Sequence, residues 1–592
     1  MKKFKNKILI MVVAGSGILV GTACKKFLDK QPIGTLNPST MATEKGVQGL
    51  LIGAYSLVDG EGAAGDGFAS GASNWILGGV TSDDAYKGSD PSDVADAAPM
   101  EQWTTLTPAN GAIPQKWIVC YAGAQRCNDV LKTLKIATGI STTKTTQIEA
   151  QARFLRAFYH FELKKIYNKI IYADETVNPG NLDVNNSTDV WPKIESDVQF
   201  AADNLPESWG SEVGRANKWA AKSLLAKVYM YEHKLSAAYP ILQDIIANGK
   251  NAGGAKYALN ARFYSNFNPA QKNSAESVFA AQTSVKDNSS VDWGGDPNGN
   301  YGDILNFPYT GGPGGCCGFY NPSQDLANAY KTDANGLPLL DTYFNGLNVG
   351  AESGTAYAGN LDPRIDWTMG RPGIPYLDWG IHPGITWIRN PTNDGNKSPL
   401  KNVYAASQKD AYTDVGSAYW GPTELVANNV NIIRFSDVIL WAAECAADAG
   451  DLAKAKDYVN QVRSRMKDHP EAWVKTGNYD APSAMYTTGS NAATYNIGLY
   501  ASFPDKDYAV KAIRMERRLE LAMEGQRFFD LVRWGIAATT INAYIAREKS
   551  FRPLKAAANF TANKNEYMPI PQGEIDNMNS DGKVRLTQNT GY

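Results

Sequence analysis

The sequence predicts a mainly α-helical fold, a scaffold of paired helices interrupted by one large, loop-rich and aromatic-rich insertion. Three observations carry that expectation. Apolar residues recur at three- and four-residue steps through residues 116–250 and again through 429–592, the spacing that lines them along one face of a helix. The helical runs come two by two, parted by short breaks rich in glycine and proline. Between about Asn251 and Asn428 the helical pattern fails, and Gly, Pro, Asn and Asp dominate.

At the start of the chain, Lys2, Lys3, Lys5 and Lys7 precede an apolar stretch from Ile8 to Val20 and the small residues Gly21, Thr22 and Ala23, the form of a signal peptide over residues 1–23. The stretch falls short of the roughly 20 apolar residues that a membrane-spanning helix needs. Cys24 follows directly, where a bacterial lipoprotein is cleaved and acylated, so Cys24 is the expected lipidation site and would begin the mature chain. An ordinary cleavage site beside a chance cysteine is the alternative, and Gly21 stands where such motifs usually have a large aliphatic residue. Residues 24–115 are read as an N-terminal segment packing on the scaffold.

The first helix pair is expected over Trp117 to Leu134 and Ile148 to Tyr167, where Ile148, Ala152, Leu155, Tyr159, Leu163 and Ile166 form one apolar stripe. Trp191 to Leu205 and Lys218 to Glu232 make a second pair, split at Pro206 and Gly210, and Ser236 to Asn248 adds a helix ended by Gly249. After the insertion, Ile432 to Ala449 and Leu452 to Arg465 pair across Gly450, since a helix C-terminus favours glycine. From Trp441 through Ala455 the Trp, small residues, turn glycine and Ala resemble one tetratricopeptide repeat unit. Tyr508 to Glu524 supplies a further helix.

The insertion, residues 251–428, holds Trp293, Trp367, Trp379, Trp387 and Trp420 with Tyr301, Tyr309, Tyr320 and Tyr376. That aromatic density argues for a folded, functional segment rather than disorder. Cys120 and Cys127 lie seven positions apart on one predicted helix, roughly 10 Å of rise and beyond disulfide reach, so they and Cys445 are read as core thiols. Cys316 and Cys317 are adjacent within Gly314-Gly315-Cys316-Cys317-Gly318, and an oxidising envelope allows either a vicinal disulfide or two buried thiols there.

A formal net charge of −2, without a run of Lys and Arg, excludes a polyanion such as nucleic acid as the main partner. The chain has 14 Trp and 30 Tyr, flat apolar faces with polar edges, which suit sugar rings.

Several stretches are similar to signatures of the SusD/RagB family of Bacteroidetes outer-membrane lipoproteins. They are Cys24-Lys25-Lys26-Phe27-Leu28-Asp29-Lys30-Gln31-Pro32, the helix Gln151 to Tyr159, Arg215 to Ala226, Glu516 to Gly525, Phe528 to Gly535, Met568-Pro569-Ile570-Pro571 and Gln588-Asn589-Thr590-Gly591-Tyr592. Thr590 stands where the family commonly has proline. The resemblance implies about four tetratricopeptide-like helix pairs packed against an irregular ligand-binding half. It also implies a non-catalytic lipoprotein, anchored in the outer membrane through the lipid on Cys24 and facing the cell surface, that binds an oligosaccharide. Such a protein delivers the glycan to a TonB-dependent, SusC-like transporter as its lid. A minority of the family binds peptides, and that is the alternative. The family's ligand residues vary with the substrate, so none is carried over by motif.

The candidate ligand residues are therefore argued physically. A pyranose lays its C–H face on an aromatic ring while fixed polar groups bind its hydroxyls. The stretch Asp292 to Tyr301 fits best, with Trp293 and Tyr301 as platforms and Asp296 and Asn298 as polar partners. Trp379 and Trp387 follow, each beside Gly, Asp, Arg or Asn, and Tyr86 after Asp83-Asp84-Ala85 could reach the same surface. For every one of these rings, packing in the core is the competing reading. Trp103, Trp117, Trp219, Trp441 and Trp534 lie on helical patterns and are assigned to the core.

Asp296, Asn298 and Asn300 have the spacing of calcium-loop ligands, but the glycine and distant Glu of an EF-hand are missing, so no metal or cofactor is predicted. A glycoside hydrolase would need only two carboxylates and is the less favoured alternative. No HExxH, GxSxG or Walker motif occurs, and His160, His233, His382 and His469 are scattered. Gly60 to Gly65 matches GxGxxG but follows no predicted strand. The repeated Arg and Glu of Arg514 to Glu524 are read as ion pairs or a solvated face, and if buried as a structural bridge between helices, rather than as catalytic groups.

Overall fold

The computed structural model describes residues 38–60, 72–177, 183–289, 298–414 and 425–592. The signal peptide, Cys24, Trp293, Asp296 and Trp420 lie outside the described residues. The fold is mainly helical, as the periodicity predicts.

The scaffold is a row of helices, α1 (Glu44–Asp59), α2 (Ile113–Ile136), α3 (Thr142–Tyr167), α4 (Trp191–Asn204), α5 (Lys218–Tyr231), α6 (Leu235–Asn248), α7 (Phe435–Asp448), α8 (Leu452–Lys467) and α9 (Lys506–Leu521). Each packs on its neighbour in chain order, and α6 packs directly on α7 although the whole insertion separates them in sequence. Polar caps set the starts. Asn217 accepts from the Ala220 amide at 2.8 Å ahead of α5, Asp451 from Lys454 at 2.9 Å ahead of α8, and Asp505 from Tyr508 at 2.8 Å ahead of α9. Gly450, at φ +83°, takes the left-handed turn between α7 and α8 that a side chain would resist. The stripe predicted on α3 is buried throughout, with Ile148, Ala152, Leu155, Tyr159 and Leu163 at 1% exposure or less.

Two sequence expectations are corrected. The segment Val430–Arg434 is a strand, β2, rather than the start of a helix. It pairs antiparallel with β1 (Ser277–Ala281), matching Ser277 with Arg434 and Ala281 with Val430 through two irregularities. The consecutive Ile432 and Ile433 favour this extended form over a helix. Trp534 is only partly buried, with its indole N–H on Glu444 at 3.0 Å, whereas Trp103, Trp117, Trp219 and Trp441 are core residues.

A buried ion network ties the scaffold to the insertion, as the charge spacing on α9 suggests. Arg364, from the insertion, meets Glu516 of α9 at 2.6 Å, and Arg463 of α8 meets the same carboxylate at 2.8 Å. Arg465 holds Glu276 at 3.0 Å and Glu520 at 2.5 Å. None of these side chains is more than 1% exposed, so each charge depends on its partners for the solvation that water would give. Arg518 in turn holds Asp83 and Asp84 of the N-terminal segment at 3.1 and 3.0 Å.

Candidate ligand-binding site

Tyr309, in the loop-rich half, is an exposed aromatic ring flanked by a charged pair. Tyr309 is 37% exposed, and the Arg389 guanidinium lies over its ring, 5.2 Å from the centroid. Arg389 donates to Asp93 Oδ2 at 2.5 Å and to the Ser89 hydroxyl at 3.0 Å, and Ser89 donates to the same Asp93 oxygen at 2.8 Å. The turn carrying Asp93 is pinned from below. The buried Lys87 ammonium donates to the carbonyls of Asp90 at 3.0 Å and Asp93 at 2.6 Å, and burial lowers its pKa. Ile381 and Ile385, 55% and 54% exposed, belong to the same insertion, and Ile385 accepts the Ile388 amide one residue before Arg389.

The platform beneath Tyr309 is built by backbone bonds and close packing. The Tyr309 amide donates to the Trp387 carbonyl at 2.9 Å, and the Gly318 amide donates to Phe307 at 2.9 Å. Gly311, at φ +77°, passes so near the Trp387 indole that a Cβ would stand 2.7 Å from Nε1, which only glycine avoids. Cys316 and Cys317 are joined as a vicinal disulfide across a cis peptide bond in this loop. The Gly314 amide donates to the Tyr404 hydroxyl at 3.1 Å.

The sequence-predicted residues fall in different places. Trp387 is 7% exposed, set edge-on to Tyr376 at 5.4 Å and His382 at 5.0 Å, so it supports the Tyr309 loop instead of presenting a face. Trp379 is half-buried, donating to the Tyr404 carbonyl at 2.8 Å. Tyr301, 6% exposed, is a core ring. Tyr86 is also core. At 1% exposure, its hydroxyl donates to Glu548 at 2.6 Å and accepts from the Gln324 amide at 3.0 Å, which leaves no face for a ligand. Asn298 is exposed, donates to Asp287 at 2.8 Å and borders a separate cleft of about 480 Å³ with Ile52, Tyr55, Arg215 and Gln282. Trp379 and Trp387 are thus brought into one neighbourhood around Tyr404 and Tyr376, and Asn298 is not. Tyr309 and Arg389 were missed as a pair. The available signal was a tyrosine in the Pro308-Tyr309-Thr310-Gly311-Gly312-Pro313 turn, where no regular element can cover the ring.

No cluster of three or more His, Cys, Asp or Glu side chains suited to a metal ion occurs among the described residues. No helix among them is long and apolar enough to cross a membrane. An irregular half mounted on paired helices defines a repeat-scaffold protein. The chain belongs to the SusD family: the profile described as "SusD family" matches residues 275–592, more than half of the chain, and a second, "Starch-binding associating with outer membrane", matches 26–230. The chain is 23% identical over 551 residues to SusD-like protein P25 of Formosa agariphila, covering 87% of each. It is 23% identical to SusD-like protein P2 of the same organism, covering 97% of each. Among solved structures, a laminarin-binding SusD-like protein shares the fold at a TM-score of 0.65 and 22% identity, over 93% of this chain and 100% of that one. So does surface glycan-binding protein A from Bacteroides thetaiotaomicron in complex with laminarihexaose, at 0.64 and 22%, over 92% and 99%.

Proposed function

We propose that the chain captures an oligosaccharide at the cell surface and delivers it to a TonB-dependent, SusC-like transporter, over which it acts as the lid. The lipid on Cys24 would hold it in the outer membrane. The observation that carries the binding step is Tyr309, a ring one-third exposed with the Arg389 guanidinium over it and Asp93 holding that guanidinium. A sugar ring laid on the tyrosine places its hydroxyls within reach of a guanidinium and a carboxylate already held in position, so little side-chain entropy is lost on binding. The glycan-binding names of the structural neighbours support the same class of ligand.

The test is calorimetric titration of the chain beginning after Cys24 with laminarihexaose, a panel of other plant and microbial oligosaccharides, and mixed peptides, with product formation followed in parallel. Saturable binding of a glycan without turnover, weakened roughly tenfold or more by Tyr309→Ala, is the expected result. Binding of peptides alone defeats the sugar reading, and release of product defeats the non-catalytic one.

A further inference from the structure

We propose that a pit apart from the Tyr309 surface binds a small neutral group with paired hydroxyls, the hydroxymethyl end of a saccharide residue together with the ring hydroxyl next to it. The pit holds about 60 Å³ and is lined by Asn74, Trp75, Asn306, Asn428, Lys401 and Glu524, among others. A water needs roughly 10–15 Å³ of such a cavity, so the pit has room for two hydroxyls and the carbons between them.

The polar atoms at the pit select the ligand. Asn74 Nδ2 donates to the Ala72 carbonyl at 3.3 Å and to Glu162 at 3.1 Å. Asn306 Nδ2 donates to Asp303 at 3.1 Å, and Asn428 Nδ2 donates to the carbonyls of Phe267 at 2.7 Å and Val403 at 3.1 Å. Every one of those partners can only accept, so each carboxamide nitrogen is fixed and its oxygen must face the other way. The three Oδ1 atoms have no hydrogen-bond partner among the described residues, and neither does the Trp75 Nε1–H. The four side chains are 6%, 2%, 0% and 3% exposed, which places these atoms where an unmade hydrogen bond is expensive.

Three acceptors, the indole donor and the Tyr320 hydroxyl, which lines the pit and is likewise without a partner among the described residues, ask for a group that both donates and accepts, as a hydroxyl does. A cation is opposed by the indole N–H and by the Lys401 ammonium, which is held by Glu524 at 2.7 Å and the Glu520 carbonyl at 2.9 Å, while the Asp303 carboxyl in the lining is already taken by Ser73, Asn300 and Asn306. An anion is opposed by the three carboxamide oxygens. Asn402, Asn429 and Asn431, all half-buried, are the part of the lining that reaches solvent. The saccharide as source of the hydroxyls rests on the reading given above, whereas the demand for hydroxyls rests on the five atoms themselves.

The experiment pairs ligand-observed NMR titration of D-glucose and 6-deoxy-D-glucose with a crystal structure of the glucose-soaked protein. Trp75→Phe deletes the N–H and keeps a ring against Phe319 and Tyr320, whose centroids lie 5.9 and 5.7 Å from it. Its melting temperature is expected to stay at the wild-type value, while glucose affinity at the pit falls roughly 3- to 10-fold. Density for a glucose hydroxymethyl in the pit, unaffected by Tyr309→Ala, is the supporting result in the wild-type protein whatever the variant does. Ordered water alone in the pit, equal binding of the 6-deoxy sugar there, or glucose seated only on Tyr309 overturns the proposal. The last of these leaves the Tyr309 reading standing.

Discussion

Arg434 grips Glu524 with two parallel hydrogen bonds, Nε to Oε2 and Nη2 to Oε1, each 2.8 Å long. The arginine ends β2, and its Nη1 reaches on to Glu276 at 2.7 Å and Glu520 at 3.0 Å, while Glu524 also takes Lys401 of the insertion at 2.7 Å. Opposite charges beside Glu524 hold its carboxyl below the usual range despite burial. Glu524→Gln therefore leaves two buried cations short of a carboxylate. Breaking such a pair costs about 3–5 kcal/mol, to be read from the urea unfolding midpoint. A loss below about 1 kcal/mol would show that the network is not needed for stability.

Arg389→Lys keeps a positive charge for Asp93 but removes the planar guanidinium that lies over Tyr309. Lysine cannot stack or span two acceptors in the same way, so binding of laminarihexaose or whichever glycan the panel identifies is expected to weaken roughly 3- to 10-fold, with melting unchanged. Equal calorimetric affinity for the two proteins would remove Arg389 from the site.

The Cys316–Cys317 bond links adjacent residues. The loop-entropy account gives such a short closure about 1 kcal/mol, against about 3 kcal/mol for a 15-residue loop. Replacing both cysteines by serine should thus shift the unfolding midpoint little and act on ligand affinity instead, since the same loop bears Tyr309. Thermal melts and titrations of the double variant measure the two effects separately, and a large drop in melting with unchanged affinity would assign the bond to stability.

Burial pushes the Glu548 carboxyl up from about 4.5 to about 7, against the hydrogen bond from Tyr86, which lowers it. The folded-state value lies above the unfolded one, so this group's contribution is fully present below about pH 4.5 and is lost as pH rises through about 7. Wild-type stability minus that of Glu548→Gln should decline across that window by at most about 1 kcal/mol per pH unit. Parallel stability curves in chemical denaturation at a series of pH values would sink the assignment.

The helical row was legible in the sequence because its determinants are local. The stripe from Ile148 to Ile166 needs only the 3.6-residue period, and Asn217, Asp451 and Asp505 cap the helices that directly follow them. The family signatures on α3 and α9 added the architecture. The site was far less legible, because exposure is decided by partners remote in sequence. Tyr86 looks like a loop tyrosine until Glu548, 462 positions later, meets its hydroxyl. Trp387 loses its face to Tyr376, His382 and the close backbone of Gly311. Asp93 reaches Arg389 across 296 positions, and no local pattern announces such a pair.

The pairing of Ser277 with Arg434 and of Ala281 with Val430 has a consequence for how the protein can change. It closes a loop inside the chain, so what lies between the two strands can lengthen or shorten away from Arg364 and Lys401, whose pairs with Glu516 and Glu524 anchor it to the scaffold. Doubling the length of such a closed segment costs only about 0.6 kcal/mol in closure entropy. Between those anchors the length of the chain is therefore nearly free, while its points of attachment are not.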